Sequence, residues 1–468
     1  MIKKFLTFSY GSWVSAAISF FTTPVITLLI IPEEFGKASM FTLALNLMYQ
    51  IGLLGMDQSF MRAFYEKAEK DRTSLAWLCF AFSIAATALI VSCLMPFWPR
   101  ISAMLFDGPD LPAMLLLAGC LPLSVVNRFA VSVVRMNKRG NVLSITQIVC
   151  ASVNLAVVIG CAKYIAPTFH AILWGAAASL FLSIAISVLS ERRFWAARVE
   201  KTVFNRAELR QLFNYGLPLV PVLVITFVFQ GMDKIALRAY SSLDEIGLYA
   251  VANKFVFLLT IIQTGFYLFW FPAAVERYEA NHADYGFFEK AFKYMAVLVL
   301  ASGGILLLSK DVIVLLLAPS YRSAVQIMPF LILAPLMYIM YDVTGLGIRL
   351  RKKTYFYVVV ALAGALVNFA GNYCLIPILG ARGAAVATGA AYIVYFSIGT
   401  GISARLFPAR YPVIQFLPSF FVLILFMGLN TFYIIPWWYN IAPVFVTGLL
   451  HKRIIAGALR EGFKEARG

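Results

Sequence analysis

Apolar residues fall into runs of roughly twenty, divided by short polar stretches that carry most of the lysines and arginines. A helix needs about 20 mostly apolar residues to cross hydrocarbon. By that rule the pattern predicts spans near 8–31, 38–58, 74–98, 111–134, 141–162 and 170–190. A polar stretch over 191–211 follows. A second series lies near 212–232, 247–271, 289–309, 322–346, 354–376 and 384–404, with a last pair near 412–431 and 434–451. The expected fold is all-α and polytopic, with about 14 transmembrane helices. The first run follows Lys3 and Lys4 but is too long for a signal-peptide core, so it reads as the first span.

The two series of spans repeat one another. Phe8-Ser9-Tyr10-Gly11 returns as Phe213-Asn214-Tyr215-Gly216, and Pro32-Glu33-Glu34-Phe35-Gly36 as Leu243-Asp244-Glu245-Ile246-Gly247. Arg135-Met136-Asn137-Lys138-Arg139 returns as Arg349-Leu350-Arg351-Lys352-Lys353, and Asn154 as Asn368. In so apolar a chain, an internal repeat marks a transporter with its pathway between related halves. The expected organisation is a six-helix lobe over 1–190, a linker over 191–211 and a second six-helix lobe over 212–406. Two additional helices over 407–451 and a tail over 452–468 complete it. An even number of spans per copy makes the repeats parallel, with 191–211 joining the lobes on one face.

Charge sharpens this picture. Only 13% of the 468 residues are charged and 61% are hydrophobic, which points to the bilayer as solvent. The net charge of +17 would suggest nucleic acid in a soluble chain; here no nucleic-acid partner is expected, because the cations sit in loops. With the N-terminus inside, 29 of the 39 Lys and Arg fall on the cytoplasmic side and 8 opposite, so both termini are expected to be cytoplasmic. The six cysteines lie within or beside apolar runs and show no metal or disulfide spacing.

No nucleotide-binding, nucleophile or metal motif appears, so the chain does not read as an enzyme, and neither a cofactor nor a metal is expected. Any transport is then expected to be facilitated or driven by an ion gradient, with a cation or a proton as the candidate coupling ion. What carries chemistry is charge at membrane depth, where Arg or Lys costs about 2.5–3.5 kcal/mol. Arg128 lies roughly 9 Å inside its span. Lys254 is as deep from the opposite face. The repeat shift carries Arg128 onto Asp342, so the halves place a cation and a carboxylate at equivalent points. Facing one another, the two would form a gate opened by an anionic substrate; the competing reading is a structural ion pair. Asp57 and Asp233, at span ends, are further gate or coupling candidates, and Arg62, read as a loop residue after the second span, could meet a lipid headgroup. Asn154, Asn368, Gln230 and Gln263 are polar cavity candidates, with helix-to-helix hydrogen bonding as the alternative. Small residues four apart, Gly175 with Ser179 and Gly383 with Ala387, predict close helix approach. Prolines at 24, 122, 218, 221, 329 and 335 predict kinks.

Pro32-Glu33-Glu34-Phe35-Gly36, Arg62-Ala63-Phe64-Tyr65 and the run from Gly231-Met232-Asp233-Lys234 to Glu245-Ile246-Gly247-Leu248-Tyr249 resemble the bacterial polysaccharide transport family. These are lipid-linked oligosaccharide flippases of the multidrug/oligosaccharidyl-lipid/polysaccharide exporter superfamily. The resemblance covers nearly the whole chain. It implies a two-lobed fold, the inner membrane, and a cation-lined cavity for an undecaprenyl-diphosphate-linked repeat unit, with polysaccharide polymerase and assembly proteins as partners. Arg128, Lys254 and Arg62 are then the expected substrate-binding residues. A multidrug antiporter and a non-transporting scaffold for polysaccharide assembly are the alternatives.

Overall fold

In the computed structural model, residues 2–197, 206–282, 284–353 and 355–465 are described, and the linker positions 198–205 fall outside them. The described residues are helical throughout, without strands. Eleven helices are long and apolar enough to cross a membrane, or up to 13 if two bent pairs each count as one span. The chain divides into two compact units, Met1–Lys234 and Ile235–Gly468.

The first unit contains α1 (Ile2–Leu29), α2 (Pro32–Gly52), α3 (Met56–Ala63), α4 (Glu69–Leu94), α5 (Trp98–Phe106), α6 (Leu111–Met136), α7 (Gly140–Tyr164), α8 (Phe169–Ser190), α9 (Arg192–Trp195) and α10 (Arg206–Gly216). The unit boundary falls within α11 (Leu219–Tyr240). The second unit continues with α12 (Leu243–Ala280), α13 (Tyr285–Leu315), α14 (Ala324–Leu331), α15 (Leu333–Thr344), α16 (Leu346–Leu350), α17 (Phe356–Leu379), α18 (Ala381–Leu406), α19 (Val413–Phe432), α20 (Ile441–Leu450) and α21 (Lys452–Glu465).

Several expected spans are not single straight helices, the one near 212–232 among them, which is divided between α10 and α11. The span near 38–58 breaks after Gly52, where Leu54 (φ +50°) and Gly55 (φ +68°) adopt left-handed backbone, and α3 leaves at 55° to α2. The span near 322–346 breaks at Ile332. Pro335 lacks the N–H that would bond the Leu331 carbonyl, so the helical ladder lapses there. The span near 434–451 opens with a short 3-10 turn before α20, and α21 departs at 71°. By contrast, the expected span near 247–271 lies inside α12, an unbroken helix of 38 residues capped by the Ser242 hydroxyl.

The repeated Glu-x-Gly motif has a structural reason. Glu34, in the first turn of α2, accepts the Phe169 N–H at the start of α8 at 2.7 Å. Glu245, in the first turn of α12, accepts the Ala381 N–H at the start of α18, also at 2.7 Å. Each carboxylate therefore satisfies an orphan donor and faces the positive end of a helix dipole in its own half. The fit in the second half is tight: Gly380 sits at φ +57°, and a Cβ there would come within 2.7 Å of a Glu245 oxygen. The other repeated motif ends at points of backbone contact. Gly11 seats α1 on the backbone of Ser144, while Gly216 seats α10 on Gly55. Close approach also joins α7 to α8 and α17 to α18. A Cβ at Gly175 would lie 2.5 Å from Val158, and one at Gly383 would lie 2.5 Å from the Leu375 carbonyl.

Candidate functional site

The break after α2 positions the charge of the first unit. Met56, Phe60 and Phe64 recur every four residues on one face of α3 and are buried with Leu53, Val125, Phe129 and Val133. Burying that face draws the neighbouring Asp57 in to 1% exposure. On α6, Arg128 lies between Val125 and Phe129 and reaches Asp57 with two bonds to Oδ2, Nη2 at 2.6 Å and Nε at 2.9 Å. Gln58 donates to the same oxygen at 2.9 Å, and Oδ1 has no partner among the described residues. Two sequence expectations change here. Asp57 is not a water-exposed span end, and the carboxylate on Arg128 is Asp57, from its own unit, instead of Asp342. The carboxylate of this pair is buried and the guanidinium part-exposed, so removing Arg128 strands a charge away from water.

Asp342 lies in the second unit with different neighbours. Its carboxylate accepts from Gln263 Nε2 at 3.4 Å, and its backbone carbonyl accepts from Trp270 Nε1 at 3.1 Å. One turn beyond α15, Arg349 donates to the hydroxyls of Tyr267 and Tyr357, the latter at 2.7 Å. Its guanidinium also lies about 5.0 Å from the Tyr267 ring centroid and 5.1 Å from that of Phe271. Tyr338 stacks on Tyr395 at 5.8 Å, and Tyr341 meets Tyr395 edge-on at 4.9 Å. The Tyr341 hydroxyl is buried without a hydrogen-bond partner among the described residues. Sequence reasoning missed this group because Arg349 read as a topology-setting cation. The signal was present in Tyr338-Ile339-Met340-Tyr341 and Tyr392-Ile393-Val394-Tyr395, whose spacing of three puts both tyrosines on one helix face.

The remaining candidates are dispersed. Lys254 is exposed on α12; Asp233 is buried and Gln230 exposed on α11. Asn368 donates to Thr388 at 3.2 Å and accepts from Asn372 at 3.1 Å, joining α17 to α18. Asn154 lies at the equivalent α7–α8 contact, its carbonyl 3.0 Å from where a Gly175 Cβ would be. Arg62 is on α3, not in a loop, and lines a cavity closed by α10.

Helices broken at glycine and proline, with an ion pair on a buried aspartate and an aromatic-caged arginine, belong to a polytopic helical membrane protein. Residues 1–277 match the polysaccharide biosynthesis protein family, and the chain belongs to it. The fold is similar to lipid II flippase MurJ in an inward closed conformation, at TM-score 0.66 and 16% identity over 97% of this chain and 99% of that one. It is also similar to an inward-facing multidrug resistance MATE family transporter of the MOP superfamily, at TM-score 0.61 and 15% identity over 84% and 94%. An uncharacterized membrane protein, MJ1068 of Methanocaldococcus jannaschii, is 26% identical over 250 residues. That alignment covers 51% of this chain and spans about half the relative's own length, 46%.

Proposed function

We infer that the protein is a flippase moving an undecaprenyl-diphosphate-linked oligosaccharide repeat unit from the cytoplasmic to the periplasmic leaflet of a bacterial inner membrane. The supporting observation is the coincidence of polysaccharide biosynthesis family membership with the fold of a lipid II flippase along 97% of the chain. Both termini are cytoplasmic in this reading, and polysaccharide polymerase and assembly proteins receive the product. Arg128, Lys254 and Arg62 meet the diphosphate, which cannot cross hydrocarbon unshielded. The gate is Arg128 with Asp57. A diphosphate that captures the guanidinium leaves Asp57 buried without its counter-ion, a cost that a coupling ion offsets. Substrate capture is thereby tied to a coupling ion, with Asp342 and Asp233 as further coupling groups and Asn154, Asn368, Gln230 and Gln263 as sugar-hydroxyl contacts. In a deletion strain, lipid-linked repeat units are expected to accumulate on the cytoplasmic leaflet. Arg128→Ala and Lys254→Ala should fail to restore export at normal expression. Unchanged export in a strain with no second flippase overturns the reading.

The multidrug antiporter is the second reading, favoured by the buried Asp342 beside tyrosine rings, a setting suited to an organic cation. It predicts a fall in drug resistance on deletion, with lipid-linked intermediates unchanged.

A further inference from the structure

Between α3 and α10 the first unit encloses a cavity of about 920 Å³, within the range of small-ligand sites. Its walls are pinned together. The Ser59 hydroxyl donates to the Leu212 carbonyl at 2.8 Å, and Lys67 pairs with Glu208. Gly216 rests on Gly55 so closely that a Cβ on it would come within 2.7 Å of the Gly55 carbonyl oxygen. Phe213, beside Leu212, meets Phe82 of α4 at 5.0 Å. The concavity is therefore preformed.

Its lining is cationic on both sides. Lys67 is already matched by Glu208, but among the described lining residues Arg206 and Arg210 from α10 and Arg62 from α3 have Glu66 as the remaining carboxylate. Arg62 approaches Glu66 at 4.0 Å, beyond hydrogen-bond length, and its guanidinium sits 4.4 Å over the Tyr215 ring. A stacked guanidinium is held in place while its N–H edge still suits a bidentate oxyanion. Topology alone asks only for a count of cations on one side of the membrane. It does not ask that cations from two separate elements line one hollow.

We propose that this cavity docks a phosphate or diphosphate group, gripped by Arg62 of α3 and Arg210 of α10, and that the bound group fastens α10 to α3. Equating that group with the headgroup of the transported lipid rests on the flippase reading; the site itself rests on its own lining. Because α10 runs into α11, occupation fixes the segment leading to the unit boundary.

The test uses the full-length protein in phosphatidylcholine nanodiscs, with hydrogen exchange over 206–216 as the readout. Pyrophosphate, farnesyl diphosphate and added phosphatidylglycerol are the probes. Slower exchange in α10 is expected, saturating with probe. Arg62→Gln and Arg210→Gln should each weaken binding roughly tenfold, the effect of losing one charge-assisted contact. Arg351→Gln, outside the cavity, should leave it unchanged, and gel filtration checks folding. Tighter binding of farnesyl diphosphate assigns a lipid-borne diphosphate, equal binding assigns the free anion, and a response to phosphatidylglycerol alone assigns a bilayer headgroup. No protection by any probe, or wild-type affinity in both variants, overturns the proposal. Intact binding with unchanged export in the deletion strain counts against the flippase alone. Defective export with no phosphate binding counts against this site alone.

Discussion

At the scale of single residues, the Arg128–Asp57 pair makes the clearest demand. Arg128→Ala leaves a carboxylate side chain at 2% exposure without its cation, which should cost about 3–5 kcal/mol and lower the midpoint of thermal unfolding in detergent. Replacing both residues at once, Arg128→Met with Asp57→Leu, should recover most of that stability while transport stays lost. Recovery of transport by the double variant would remove the pair from the mechanism. Tyr341 makes the opposite demand. Its hydroxyl is buried with no partner among the described residues, so Tyr341→Phe should keep or slightly raise stability. A loss of transport in that stable variant would mark the hydroxyl as a ligand contact.

At the scale of elements, span positions were legible because membrane crossing imposes a length on every apolar run. The break near Pro335 fell where a kink was expected, but the one at Gly55 was not legible. Gly55 stands among many glycines, and what makes it decisive is a partner remote in sequence, Gly216 lying on it. Partner choice for charges was equally hidden. The repeat aligned Arg128 with Asp342, but alignment states equivalence, and equivalence is not contact. Arg62 and Asp57 acquired their settings only because α2 turns by 55° and continues as α3. Glu34 and Glu245 were visible as a repeated motif, though their function as helix caps was not. Glu34→Gln and Glu245→Gln should each cost about 1–2 kcal/mol, from a charge-assisted bond and a dipole contact. Thermal unfolding of each variant checks this, and no change in either would sink the capping account.

At the scale of the whole molecule, two compact units carry different chemistry on related scaffolds. The first holds a cation on a buried aspartate and a cationic hollow; the second holds an aspartate among tyrosines and an arginine caged by phenols. The matching glutamate caps have a consequence for how such a chain evolves. Each copy is secured by its own short bond, Glu34 to Phe169 and Glu245 to Ala381, so neither depends on the other copy for that closure. Damage to one should add to damage in the other without synergy, as expected of remote sites. The interior of one half can therefore change residue by residue without loosening the fastening of the other.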